Sequence, residues 1–126
     1  MPFSTQRVEE LRGECELWRE IGQKDNPDFE NSWVNYDTGT HALAAFYKDK
    51  FNRVWIKGLI KNGTVGPGNA VFTLPEGYRP SERVNYSGID GTGVPASRIQ
   101  VYPTGAIEVL AGNNGFISLD GFSWRV

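Results

Sequence analysis

The sequence predicts an all-β protein: an antiparallel β-sandwich or jelly-roll-like domain of about eight short strands, preceded by a short N-terminal helix. First, short runs of alternating apolar and polar residues recur from residue 32 to residue 126. Second, turns rich in Gly and Pro, which supply 15 and 7 of the 126 residues, separate those runs. Third, a helical spacing of apolar residues appears near the N-terminus. Many short strands joined by such turns are typical of a sandwich or a small barrel.

The N-terminal segment, residues 4–21, has the pattern of a helix. Ser4 or Thr5 is a suitable N-cap. The apolar positions then follow the a and d spacing of a heptad: Val8, Leu11, Cys15 and Trp18. Two interpretations stay open, the end of a coiled coil that joins copies of the chain or a single amphipathic helix lying on its own domain. The predicted organisation is a helix or stalk remnant, a polar linker and a β domain, over residues 1–22, 23–31 and 32–126.

The β domain begins with two short predicted strands and continues with the clearest one, residues 52–61. The predicted strands are 32–36, 43–47, 52–61, 70–73, 83–89, 97–102, 107–111 and 116–125, the last broken at Gly121. In strand 52–61, strict alternation places Val54 and Ile56 on the opposite face from Trp55. The Asn-Gly pair that follows is a turn signal.

A stiff corner, residues 71–84, joins two of the predicted strands. Pro75 has no N–H and therefore ends the ladder of the strand before it. Gly77 permits a positive φ and a sharp turn. Tyr78 has an apolar ring and a polar tip, so we expect it to plug the end of the sandwich and to bond a nearby backbone group. Pro80 holds Arg79 extended and directs the chain into the next strand.

Composition excludes several classes of function. A net charge of −2 argues against binding of nucleic acid, which would need a basic patch. No apolar run is long enough for membrane insertion, and no signal peptide opens the chain. The single Cys15 excludes an internal disulfide framework. One His and one Cys do not supply a zinc cluster, and no calcium loop is present, so we expect neither metal nor cofactor.

Catalytic patterns are weak. A nucleophile pair would require Cys15 and His41, which lie on the predicted helix and in a loop. Glycoside hydrolysis needs two opposed carboxylates, and no spacing pairs the candidates, which are Glu76, Asp90, Glu108 and Asp120. We therefore expect no enzymatic activity.

Ligand binding is the better prediction, and it rests on two aromatic residues expected on the outer surface. Trp55 lies opposite Val54 and Ile56, and Tyr102 lies opposite Ile99 and Val101. Exposed rings beside polar side chains suit the C–H faces and hydroxyls of a sugar. The candidate ligand-binding residues are Trp55, Tyr102, Arg53, Lys57 and Gln100. The alternative is that both rings are buried between subunits of an oligomer. We expect Trp33 and Trp124 in the core.

Five pieces follow one another in the stretches FYKDKFNRVWIKGLIKNGTVGPGNAVFTLPEGYRPSERV, SRIQVYPTGAIEVLAG and FISLDGFSWRV. They are a Tyr-Lys-Asp strand, a Gly-Leu-Ile-Lys strand with an Asn-Gly turn, a Leu-Pro-x-Gly-Tyr-Arg-Pro crossover, an Arg-Ile-x-Val hairpin and a final Ser-Leu-Asp-Gly-Phe. In this order they resemble the C-terminal head domain of tail-fibre and receptor-binding proteins of tailed bacteriophages and prophages. The resemblance covers residues 29–126, and LWREIGQKDNPDFENSWVNY is similar to the family's entry into the head. It implies a trimeric head on a stalk, at the end of a virion that contacts the host.

The resemblance implies a receptor-binding head that adheres to a bacterial surface glycan by multivalent, non-covalent binding. The expected partners are two further copies of the chain, a cell-surface polysaccharide or other receptor, and other tail proteins. The expected location is the tail fibre or tail tip of a virion, after synthesis in the host cytoplasm. The alternatives are a structural fibre-tip or assembly module that binds no receptor, and a polysaccharide hydrolase.

We expect the purified chain to be a homotrimer, because of the heptad spacing and the family resemblance. Light scattering coupled to size exclusion measures the mass directly. A monomer mass at micromolar concentration would contradict the prediction.

Overall fold

The computed structural model describes residues 16–126, and this part of the chain is all-β. Its eleven strands are β1 (Arg19–Glu20), β2 (Val34–Asn35), β3 (Ala45–Lys48), β4 (Arg53–Lys57), β5 (Leu59–Lys61), β6 (Ala70–Thr73), β7 (Val84–Tyr86), β8 (Arg98–Val101), β9 (Ala106–Ala111), β10 (Ile117–Ser118) and β11 (Ser123–Arg125). Residues 16–126 contain no helix with the length and apolar character needed to cross a membrane.

The strands form three antiparallel sheets. Sheet A has the order β1-β3-β4-β11, sheet B the order β10-β5-β2 and sheet C the order β6-β9-β8-β7. One cluster of buried apolar side chains draws on all three sheets, and it includes Ile21, which precedes the predicted β domain. The predicted all-β class is confirmed. Trp33 and Trp124 are 1% and 3% exposed, as expected for core residues.

The predicted N-terminal helix is wrong where the structure describes it. Most of residues 4–21, with Val8, Leu11 and Cys15 of the heptad spacing, lies outside the described residues. Within the described part, Arg19 and Glu20 form β1 and pair with Phe46 and Ala45 of β3. Pairing with an existing sheet edge supplies backbone partners that a short isolated helix would lack, so tertiary contact overrides the local pattern. Trp18 is therefore not a seam residue.

The carboxylate of Glu16 anchors the segment that leads into β1. Its Oε2 accepts a hydrogen bond of 3.0 Å from the backbone N–H of Lys48. Its Oε1 accepts one from the hydroxyl of Tyr78 and lies 3.5 Å from Nε of Arg19. The segment before β1 is thus fixed both to β3 and to the corner at residues 71–84.

The predicted strand 52–61 is two strands in different sheets, β4 in sheet A and β5 in sheet B. Burial still alternates through it, as predicted, with Val54, Ile56 and Ile60 all at 2% exposure or less. The break is at Gly58, which has a φ of 127°. A Cβ there would lie 2.5 Å from Cα of Ala44, so only glycine allows this close approach.

The corner at residues 71–84 has the structural role predicted for it. Gly77 has a φ of 88°, which confirms the expected positive value. Tyr78 is 8% exposed, and its ring meets that of Phe46 edge-on at 5.2 Å between centroids. Its hydroxyl bonds the Glu16 carboxylate instead of the expected backbone group, and burial, followed by this bond, raises the pKa of Tyr78 to about 12. Its carbonyl accepts a 2.8 Å hydrogen bond from the indole N–H of Trp124.

Replacing Gly63 by Ala should destabilise the fold through packing alone. A Cβ at Gly63 would lie 1.8 Å from the Trp33 ring, whereas one at Gly39 would have no atom within 4 Å. Overpacking of this kind costs about 1–3 kcal/mol or more. Thermal and urea unfolding of Gly63→Ala should show this loss, and Gly39→Ala is the matched control. Equal unfolding free energies for the two variants would contradict the predicted packing.

Candidate functional site

The outer face of sheet A carries the first group of predicted site residues. In β4, Val54 and Ile56 are buried, while Arg53, Trp55 and Lys57 are half-buried on the other face. Across the sheet, Trp55 lies between Tyr47 of β3 and Ser123 of β11. The predicted outward position of Trp55 is therefore confirmed.

A shallow groove of about 240 Å³ crosses this face. We call it the aromatic groove, and it is lined by Trp18, Tyr47, Trp55, Ile56, Lys57 and Gly121. Trp18 is 40% exposed, and its ring meets that of Tyr47 edge-on at 4.6 Å between centroids. The Nζ atom of Lys57 lies 4.7 Å from the centroid of the Trp18 ring. Three rings and one ammonium group thus share one concave surface.

Trp55 is held in place by the loop between β3 and β4. Its indole N–H donates a 3.0 Å hydrogen bond to Oδ2 of Asp49. Oδ1 of Asp49 accepts from the backbone N–H groups of Phe51 and Arg53 at 2.8 and 3.1 Å. The Trp55 bond is the main cause that lowers the pKa of Asp49, and the backbone bonds add to it. The carboxylate is therefore engaged in fixing the ring and is poorly placed for proton transfer.

Of the remaining predicted site residues, Gln100 lies in β8 of sheet C and Tyr102 directly follows that strand. Ile99 and Val101 are 0% and 1% exposed, which confirms their inward position. Gln100 is 6% exposed and pairs with Asn85 and Glu108 of the neighbouring strands, so it presents little surface to a ligand.

Tyr102 follows β8 and is half-buried, with Cζ of Arg83 5.0 Å from its ring centroid. Burial raises the pKa of Tyr102, and the neighbouring Glu108 carboxylate adds to the shift. The structure thus brings Arg53, Trp55 and Lys57 together on sheet A, and it places Gln100 and Tyr102 on another sheet.

Sequence reasoning missed two rings of the aromatic groove. The sequence did contain a signal for Tyr47, because in the predicted strand 43–47 the side chain next to the apolar Phe46 is expected on the opposite, outer face. Trp18 had none, because its spacing from Cys15 indicated a helix. Trp18 joins the groove only through the pairing of β1 with β3.

The carboxylates named as catalytic candidates have structural partners or lie apart. Oδ1 of Asp120 accepts the backbone N–H of Gly58 at 2.8 Å. Asp90 is 1% exposed and accepts hydrogen bonds from Thr92 and from the backbone N–H of Asn113. Glu108 lies on sheet C.

His41 pairs with Asp37 instead of a nucleophile, with 2.8 Å between Nδ1 and Oδ2. Cys15, the other member of the pair considered from the sequence, is outside the described residues. In residues 16–126, no three His, Cys, Asp or Glu side chains are grouped to hold a metal ion.

Comparison with family models, curated proteins and solved structures found no match to this chain.

Replacing Asp49 by Asn should destabilise the protein near neutral pH, because the Trp55 indole then loses its carboxylate acceptor. The folded-state pKa of Asp49 is lowered. Its contribution to stability is therefore present above the ordinary pKa, near 4, and is lost as the pH falls through the lowered value. The difference in melting temperature between Asp49→Asn and the parent should narrow below about pH 4. Thermal unfolding followed by circular dichroism across this range measures it.

Asp28→Asn is the control, since Asp28 is exposed and the change in charge is the same. A difference for Asp49→Asn that is independent of pH would show that the ionised carboxylate contributes nothing specific.

Proposed function

We propose that this protein is the receptor-binding head of a phage-type tail fibre and adheres to a bacterial surface glycan without chemistry. A β-sandwich or jelly-roll-like head suits this role, and the three antiparallel sheets are consistent with it. The observation that supports binding most directly is the aromatic groove, where Trp18, Tyr47 and Trp55 line one concavity beside Lys57.

The chemistry of the groove matches that of a sugar. Sugar rings have apolar C–H faces, which pack on aromatic rings, and hydroxyl groups, which need polar partners. Lys57 supplies donors inside the groove, and Arg53 lies beside Trp55, with Cζ 5.8 Å from its ring centroid. The fixed position of Trp55 on Asp49 reduces the entropy lost when a ligand binds.

Weak individual sites are sufficient for such a protein if several act together. A homotrimeric head presents three copies of the groove to one cell surface. Multivalent engagement gains about 10² to 10⁴ in avidity with no new contact. The proposed setting is the tail fibre or tail tip of a virion, where other tail proteins are further partners.

A structural fibre-tip module is the second candidate, and one observation favours it. Leu17, which precedes Trp18 in the sequence, is 87% exposed, so the segment that supplies Trp18 to the groove also carries a large apolar side chain that a neighbouring subunit would bury. In that case the aromatic rings belong to a subunit interface and bind no receptor.

Alanine substitutions in the aromatic groove and at Tyr102 distinguish a receptor-binding head from a structural module. We expect Trp18→Ala and Trp55→Ala to weaken single-site binding on a glycan array at least about fivefold, because each removes a stacking ring. Cell binding should fall further, because every site of the oligomer is affected. Tyr102→Ala on sheet C should bind like the parent, and the mass of each variant is measured alongside.

Loss of the oligomer in the two Trp variants would place the groove at a subunit interface and favour the structural candidate. An intact oligomer that binds glycans and cells as well as the parent would exclude the groove as the receptor site.

A further inference from the structure

Two arginine residues lie directly opposite each other on the outer face of sheet A. The antiparallel register of β4 and β11 pairs Arg53 with Arg125. Like charges directly opposite in a sheet are destabilising. Within residues 16–126, no carboxylate oxygen lies within 4.0 Å of either guanidinium group, and the charge of Asp49, which also interacts with Arg53, offsets only part of this repulsion.

Arg53 and Arg125 both line one cleft. The cleft has a volume of about 310 Å³, and it lies where β11 meets the end of the corner at Pro80 and Ser81. Trp124, Ser81 and Ser123 also line it. Glu82 lines it too, but at more than 4.0 Å from the guanidinium nitrogens. The cleft thus combines two arginines with one glutamate and with neutral hydrogen-bonding residues, so its lining carries an excess of one positive charge.

Arg53 is held in a defined orientation. Its Nε donates a 2.9 Å hydrogen bond to Oγ of Ser123, and its Cζ lies 5.8 Å from the centroid of the Trp55 ring. The Nε bond leaves the terminal nitrogens of the guanidinium available, and these suit a carboxylate or phosphate group. Arg53 therefore has the preorganisation of a binding residue.

We propose that the Arg53–Arg125 pair is an anion subsite, which binds a carboxylate or phosphate group of an acidic glycan whose sugar rings lie in the aromatic groove. Naming this class of glycan rests on the proposed function. Arg53 and Trp55 are two residues apart on one face, about 7 Å along the strand, so one oligosaccharide reaches both. Lys57 adds a further positive charge beside the rings. The same cations disfavour a quaternary ammonium ligand, which aromatic rings alone would accept.

A pair of oligosaccharides with the same sugar backbone, one with free carboxylates and one with methyl-esterified carboxylates, tests the proposal. The probes are an oligogalacturonate and the same oligomer with its carboxylates methyl-esterified, titrated into the full chain by calorimetry at low ionic strength. We expect the acid to bind about tenfold more tightly than the ester, because each charge-assisted hydrogen bond is strong. Added salt should reduce this preference.

Single substitutions locate the source of the preference. Arg53→Gln and Arg125→Gln should each reduce it to within about twofold, whereas Arg98→Gln, the same charge change at an exposed position of sheet C, should leave it at about tenfold. The melting temperature of Arg125→Gln should be no lower than that of the parent, because the substitution relieves a like-charge pair. A preference that survives both cleft variants, or equal affinity for acid and ester in the parent, overturns the proposal.

A small anion tests the subsite without any sugar. Inorganic phosphate is titrated while NMR follows the side-chain Nε–H signals of arginine. We expect saturable shifts for Arg53 and Arg125, and none for Arg98. Shifts of equal size for all three, or shifts for none, overturn the proposal.

The two probes also separate this proposal from the proposed function. Glycan binding that depends on Trp18, with no phosphate response at Arg53 and Arg125, overturns the subsite and leaves the proposed function standing. A phosphate response in a protein that binds no glycan on the array or on cells overturns the proposed function, and with it the assignment of the ligand as a glycan.

Discussion

The close approach of Gly58 to Ala44 is the constraint on which the arrangement of the sheets depends. A Cβ at Gly58 would lie 2.5 Å from Cα of Ala44, and the φ of 127° is one that side chains rarely adopt. The chain turns there from sheet A into sheet B, and Asp120 caps the freed N–H of Gly58. Because β4 ends at this point, its outer face carries one short row of side chains, and Arg53, Trp55 and Lys57 of that row are what β4 contributes to the candidate site.

Alternation made much of this face predictable. The two-residue period of a strand predicts that Val54 and Ile56 point inward and Trp55 outward, and the burial of these side chains confirms it. The split at Gly58 escaped prediction because burial continues to alternate across it, so the pattern of a single long strand is preserved. Trp18 escaped for a different reason. Its local spacing fits a helix, and only the distant β3 edge makes its segment a strand. Local patterns thus fix the face of a residue, while sheet membership depends on contacts far apart in sequence.

On the outer face of sheet A, the acidic group makes hydrogen bonds within the protein, while two basic groups lie side by side. The carboxylate of Asp49 accepts three hydrogen bonds, from the Trp55 indole and two backbone N–H groups, and so holds the Trp55 ring in position. Arg53 and Arg125 lie opposite each other without a described carboxylate within 4.0 Å. Asp49 thus holds the Trp55 ring in place, while Arg53 and Arg125 keep terminal guanidinium nitrogens for a ligand.

The anchoring of Glu16 has a mechanical consequence. Trp18 lies between two attachments, the Glu16 carboxylate on Lys48 and Tyr78 and the short β1 pairing with β3. A pulling force applied at residue 16 loads the first attachment and then peels the edge strand, before any tension reaches the core. Trp18 would leave the aromatic groove at that stage, while Tyr47 and Trp55 stayed in place. The shape of the aromatic groove is therefore coupled to tension along the polypeptide, and under the proposed function tension at residue 16 would lower its affinity for a ligand.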